Sequence, residues 1–355
     1  MSETSKADRD PSKAGNARKE SGSLWRENGS EGEGVLETKE SQQVGARSNA
    51  GGDGNTGRGS LFNEMLGRPR GESQKASDDP AVESAKKTSV EPIVRLVNVS
   101  KSFGSLHVLR NISLDIYPGK TTVIIGPSGT GKSVLLKIIC GLLKPDSGEV
   151  WFRGQRVDEL EDRDLVGIRK RMGMLFQMGA LFDSMTVGEN IVFPLVEHNR
   201  KMSASQRHER CQKMLKVVAL KDVANKMPSE LSGGQKKRVA LARAIILEPE
   251  LVLYDEPTTG LDPIRSDVIN ELILGLTRQL GLASIAVTHD MISADKIADR
   301  MVMLYDGKIV IDGSPQAFHH SDNDLVNRFI RGQADEQELA AIREGIKPVA
   351  RHEDQ

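Results

Sequence analysis

An α/β fold is what this sequence predicts, and three observations carry the expectation. From Ile93 onward, short apolar runs bounded by turns replace a polar, featureless beginning. The run "TTVIIG" passes through a glycine-rich loop directly into the helical stretch "VLLKIICGLL". After Pro249, the strand-like runs "LVLY", "SIAV", "RMVMLY" and "KIVIDG" alternate with helical sequence as packed sheets and helices do.

In chain order, "IVRLVNV" and "ISLDIY" read as strands, followed by the strand-loop-helix unit just named. Glu149 to Phe152 is the next strand, and "RKRMGMLFQ" holds another that ends near Gln177. From Ser203 the pattern turns helical, with Cys211, Met214, Leu215 and Val218 on one face, and two helices are expected between residues 203 and 247. Asp262 followed by Pro263 is a helix start, because the carboxylate can accept from the free N–H groups and proline fits the first turn; Gly281 is the matching stop. Asp322 to Gly345 reads as one or two amphipathic helices.

A chain of 355 residues has room for two ordinary domains, yet composition puts the start of folding near residue 90. Before that point Ser, Gly, Asn, Glu, Lys and Arg dominate, so too little apolar surface is present to offset chain entropy. Residues 1–90 are therefore expected to be a disordered tail. Its island "SLFNEMLGRPR" reads either as a short docking helix at Leu61 to Leu66 or as a less polar linker. The tail carries acidic residues such as Asp8, Glu31 and Glu40 and lacks a long apolar run, which speaks against a transit peptide or a secretory signal and for a cytoplasmic protein. A net charge of -1 gives no field that favours nucleic acid, so none is expected as a partner. Two cysteines, Cys140 and Cys211, make no disulfide framework and have no metal-ligand neighbours at usable spacing. No apolar run approaches the roughly 20 residues that span a bilayer, so work on a membrane needs a span from another chain.

The chemistry lies in a few short motifs. "GPSGTGKS" fits G-x-x-x-x-G-K-[ST] between a strand and a helix, where the pattern has mechanical meaning. Gly126, Pro127, Ser128, Gly129, Thr130 and Gly131 form the cradle, whose glycines let successive N–H groups curl round a phosphate. Lys132 reaches the outer phosphates and the Ser133 hydroxyl ligates Mg2+, so a nucleoside triphosphate is the expected ligand. In "LVLYDEP", Asp255 is placed to hold magnesium through water and Glu256 to act as general base on the attacking water, a role worth about 10²–10⁴ in rate. His289, in "THD" after a strand expected beside that one, is within reach of the terminal phosphate. A second glycine-rich segment, "LSGGQKKRVALARAI", opens a helix at Ser232, Gly233 and Gly234. Its free N–H groups suit an anion, although an ordinary capped helix has the same local pattern and spacing does not say which phosphate it meets.

Taken together and in this order, "GPSGTGKS", "LSGGQ", "LVLYDEP", "TTGLD" and "THD" closely resemble the nucleotide-binding subunits of ATP-binding cassette (ABC) proteins, over about residues 93 to 332. The resemblance implies a P-loop NTPase (RecA-like) core with an antiparallel β subdomain and an α-helical subdomain at about 180–247, the whole domain running from 91 to 332 and a partly helical extension from 333 to 355. It implies ATP and Mg2+ as ligands, and a second copy of the chain whose signature loop (Ser232, Gly233, Gly234, Gln235) closes over the ATP held by the first. Phe103 resembles the aromatic that stacks on adenine. Gln177 resembles the glutamine that touches magnesium and senses the membrane partner, Asp262 the residue that communicates across the dimer, and His289 the phosphate-sensing switch. Ribosome-acting relatives with two cassettes in one chain, and chromosome ATPases with long coiled coils inserted before the signature, do not match this sequence. The "LSGGQ" segment speaks against a kinase or GTPase outside the family.

The apolar stretch "FQMGALFDSMTVGENIVFPL" (176–195) is interrupted by Gly179, Gly188 and Pro194. Broken into pieces too short for one buried element, it is expected to be an exposed patch meant for a partner. In ABC transporters this segment lines the groove where a cytoplasmic helix of an integral membrane permease docks. Its wording resembles the Mla-type, MCE-linked lipid transport ATPases in particular, as does "VNRFIRGQAD" (326–335), with Gln235 where many of that branch carry Met. That branch implies phospholipid as cargo, an MCE-domain lipid-binding protein and a small regulatory subunit as further partners, and a location on the cytoplasmic face of the inner membrane. An importer ATPase for a small polar solute such as an amino acid is the alternative.

Overall fold

The computed structural model describes residues 90–334 together with 339, 340 and 343. The expected tail up to residue 89, its island at Leu61 to Leu66 and nearly all of the extension after residue 334 lie outside the described residues.

Two sheets make up the described part. The first is antiparallel and holds β1 (Val94–Phe103), β2 (Leu106–Ile116), β4 (Ser147–Phe152) and β5 (Gln155–Arg156) in the order β2-β1-β4-β5. Alternation along β1 sends Val94, Leu96 and Val99 into the core while Arg95 and Asn98 face water, as one-sided burial requires. The second sheet has the order β10-β9-β3-β8-β7-β6, built from β3 (Thr121–Ile125), β6 (Met172–Leu175), β7 (Leu251–Asp255), β8 (Ala283–Val287), β9 (Arg300–Tyr305) and β10 (Lys308–Gly313). All its neighbours run parallel except β10, which folds back on β9. Every residue of β3, β7 and β8 is buried, because helices or the other sheet cover both faces. Alternate residues feed two cores: Val123, Ile125, Val252 and Tyr254 join the one that holds residues of 187–246, whereas Ile124, Leu251, Leu253 and Ile285 join the one shared by the antiparallel sheet and the helical residues 132–139 and 162–169.

Helices α1 (Lys132–Ile139) and α2 (Asp162–Arg169) lie among the early strands, and between β6 and β7 come α3 (Val187–His198), α4 (Ala204–Val217) and α5 (Gly233–Ile245). The chain ends its described part with α6 (Pro263–Leu280), α7 (Met291–Ile297), α8 (Pro315–His319) and α9 (Asp324–Arg331). Cys211, Met214, Leu215 and Val218 are all buried in the helix-side core, as their spacing predicts. Asp262 caps α6 by accepting from the Arg265 N–H at 3.0 Å, and Gly281 ends that helix at φ 64°, where a side chain would be strained. Both cysteines are buried free thiols, and burial pushes Cys211 up to about 12. Among the described residues no helix is long and apolar enough to cross a membrane.

One expectation needs correcting. Gly188 and Pro194 do not break residues 187–195 into short pieces, and much of this stretch is core rather than exposed patch. It forms α3, with Val187, Ile191, Val192 and Leu195 buried against α4 and α5. A reciprocal cap starts the helix: Glu189 accepts from the Thr186 N–H at 2.7 Å and Thr186 Oγ1 from the Glu189 N–H at 3.3 Å. Gly188 stands in the first turn, where its N–H is satisfied by the Ala224 carbonyl at 2.8 Å. Pro194 forfeits one helical bond, and burial of Ile191, Val192 and Leu195 around it offsets the roughly 3 kcal/mol that an interior proline costs. What stays outside is smaller: Met178 is 89 % exposed and Phe182 40 %.

Candidate functional site

The sheet order brings the predicted residues together at one edge. Strands β3, β8 and β7 are neighbours, so the loop after β3, His289 after β8 and the Asp255–Glu256 pair at the end of β7 all lie at the carboxyl ends of the parallel strands. Asp255 is the last residue of its strand rather than one beyond it.

The phosphate loop depends on two glycines. Gly126 has φ 146°, and a Cβ there would stand 2.1 Å from the Leu304 carbonyl oxygen; Gly131, at φ 96°, would put one 2.8 Å from Val108. Thr130 Oγ1 braces the loop by donating to the Pro127 carbonyl at 2.9 Å, while Ser128 and Gly129 stand exposed at its tip. Lys132 turns its ammonium inward to the carbonyls of Gly126 at 2.8 Å and Pro127 at 2.7 Å. Burial lowers the Lys132 pKa, an effect opposed by the nearby Glu256 and Asp255 carboxylates. The Ser133 hydroxyl, on the first turn of α1, donates to Asp255 Oδ1 at 2.8 Å. A hydroxyl and a carboxylate are the hard oxygen donors that magnesium takes, so this pair fits the ion, and the Lys132 ammonium is a positive charge held within the loop.

Glu256 is held more tightly than any motif indicates. Its φ of 50° is left-handed, a strain of about 1–3 kcal/mol for a side-chain-bearing residue. Its N–H donates to the Val287 carbonyl at 2.9 Å. Thr259 Oγ1 donates to its carboxylate at 2.9 Å, and His289 Nδ1 lies 3.0 Å from the same carboxylate.

Other predicted residues stand apart. Phe103 is half exposed at the end of β1 with the Lys101 ammonium 5.7 Å above its ring, an open face suited to stacking. Gln177, two residues beyond β6, is exposed and is not hydrogen-bonded to Asp255 or Glu256. Ser232 and Gln235 cap α5 reciprocally, the Ser232 N–H donating to Gln235 Oε1 at 2.9 Å, so within one chain the ordinary capped helix is formed. Gly233 and Gly234 lie against Leu261 and Arg265 beside Asp262, and no hydrogen bond joins them to the phosphate loop among the described residues.

Residues 109–259 match the ABC transporter family. The phospholipid transport ATP-binding protein MlaF of Escherichia coli K12 is 44% identical over 247 residues, which cover 70% of this chain and 91% of MlaF. The chain belongs to the ABC transporter ATP-binding proteins. The "Probable ribonucleotide transport ATP-binding protein mkl" of Mycobacterium leprae is 39% identical over 240 residues, 68% of this chain and 69% of that one. Among solved structures, the dimeric post-hydrolysis state of the cassette MJ0796 bound to ADP and Pi superposes with a TM-score of 0.59 at 37% identity, covering 62% of this chain and 98% of that one. As an ABC ATPase, this chain is the ATP-hydrolysing subunit of a transporter and uses ATP with Mg2+.

Two anchors of this ABC ATPase were not found by motif. Asn190, fully buried, holds the loop before α3 by accepting from the Phe182 N–H and donating to the carbonyls of Phe182, Met185 and Thr186. Arg243 on α5 donates to the Gly179 carbonyl at 2.9 Å and stacks over the Phe182 ring at 5.6 Å. Their signal was present as polar side chains on otherwise apolar helix faces, which need partners inside the fold.

Proposed function

We propose that two copies of this chain close on two ATP molecules and drive a membrane permease that moves phospholipid between membranes, from the cytoplasmic face. The 44% identity to MlaF across 91% of that protein is the observation that carries the cargo. Pairing is supported by a signature loop that makes no hydrogen bond to the phosphate loop among the described residues and by the dimeric cassette at 37% identity. An exposed Met178 and Phe182 on a loop pinned by Asn190 and Arg243 suit a permease helix, since a rigid apolar surface loses little entropy on docking.

In this reading Lys132 binds the outer phosphates and Phe103 stacks on the base. Magnesium, held by Ser133, Asp255 and Gln177, supplies positive charge against the phosphate oxygens. Glu256 takes the proton of the attacking water, and His289 orients that carboxylate and senses the terminal phosphate. Ser232, Gly233, Gly234 and Gln235 serve the other subunit's nucleotide, with Asp262 at the junction. An MCE-domain lipid-binding protein and a small regulatory subunit complete the assembly.

The identity to mkl favours a second reading, a small polar solute as cargo. The deciding experiment purifies the chain with its permease, reconstitutes the complex in vesicles and follows ATP-dependent movement of labelled phospholipid and of labelled ribonucleotide. Phospholipid movement sustains the proposal, and ribonucleotide movement alone replaces it. Sedimentation of the Glu256→Gln variant with MgATP should give pairs; monomers, even with the permease present, overturn the sandwich.

A further inference from the structure

Lys237 lies on the signature helix α5 yet points away from solvent, only 7 % exposed on a face otherwise made of Gly234, Ala240 and Leu241. A cation seldom sits on such a face without a fixed partner. Its partners are two backbone oxygens of the loop beyond β7: the ammonium donates to the Glu256 carbonyl at 3.1 Å and to the Pro257 carbonyl at 2.8 Å.

Why that grip matters follows from the backbone. Glu256 has the left-handed φ of 50°, and such a conformation persists only where its surroundings hold it. The peptide that follows leads into proline, which has no N–H, so this peptide can be anchored only through the Glu256 carbonyl. That oxygen accepts from Lys237 and, at 3.3 Å, from the Thr259 N–H. The next carbonyl, of Pro257, accepts from Lys237 as well. On its other side Glu256 is tied to Val287. Lys237 is thus the side-chain clamp that closes the turn on which the carboxylate stands, and it comes from the helix that carries Ser232 and Gly233 at its start.

We infer that Lys237 is a positioning residue: by holding the Glu256 and Pro257 carbonyls it fixes the turn that aims the Glu256 carboxylate, and links that aim to the position of the signature helix. This rests on the reading of Glu256 as the base. What the clamp needs is donors rather than charge, since both partners are neutral carbonyls. Lys237→Gln keeps two N–H donors, whereas Lys237→Met keeps the volume and removes them.

The test uses the full-length chain. With Lys237→Met, kcat for MgATP should fall about 10- to 100-fold, as a misplaced catalytic group does, while fluorescent-nucleotide affinity changes less than about two-fold. Without nucleotide, amide hydrogen exchange over residues 256–261 should quicken while that of β7 does not. Lys237→Gln should recover most of the loss. An unchanged kcat, unchanged exchange, or a Gln variant no better than Met overturns the inference. If Lys237→Met does not fold, Lys237→Ala is measured in its place with the same criteria. Normal turnover by Glu256→Gln overturns both this inference and the reading of the base; lost turnover there with an unaltered kcat in Lys237→Met overturns this inference alone.

Discussion

His289 Nδ1 lies 3.0 Å from the Glu256 carboxylate, although the two residues are 33 positions apart and belong to the ends of different strands. The pairing of β7 with β8 makes this contact, and Thr259 holds the carboxylate from its other side. Replacing His289 by Ala is expected to lower kcat by about 10- to 100-fold with little change in nucleotide affinity, because Glu256, the base we propose, would keep its carboxylate and lose its orientation. Steady-state phosphate release together with nucleotide titration reads both numbers.

Lys132→Ala acts earlier in the cycle. Loss of the charge-assisted contact to phosphate that we propose for Lys132, worth about 1.5–3 kcal/mol, should weaken nucleotide binding about 10- to 100-fold. Calorimetric titration checks it, and unchanged affinity would remove Lys132 from the phosphate site.

Met178→Asp separates docking from catalysis. The side chain is 89 % exposed, so folding and hydrolysis by the free subunit should survive, whereas stimulation by the permease should be lost. Comparing ATPase rates with and without permease in vesicles decides the matter; stimulation at the native level places the docking surface elsewhere.

Ile191→Ala probes the helix that the sequence concealed. Ile191 is fully buried between α3 and its neighbours, and truncation should cost about 2–5 kcal/mol in urea denaturation, in the range of other large-to-small core changes. A loss below about 1 kcal/mol would return this segment to the surface.

Sequence by itself determined whatever depends on local chemistry. The order strand, "GPSGTGKS", helix required Gly126 and Gly131 in conformations that only glycine adopts without strain, and those conformations occur at φ 146° and 96°. Asp262-Pro263 and Gly281 specified both ends of α6 from single residues. Tertiary structure decided whatever depends on partners distant in the chain. Pro194 reads as a breaker because its local cost is visible, while the core that offsets it comes from α4 and α5. Nothing local to Lys237 or Arg243 names a partner; the fold sets the carbonyls of residues 256 and 257 before the first and of residue 179 before the second. A motif records which groups the chemistry needs; which backbone oxygen a buried cation meets is fixed only when β7, α5 and the loop after β6 pack together.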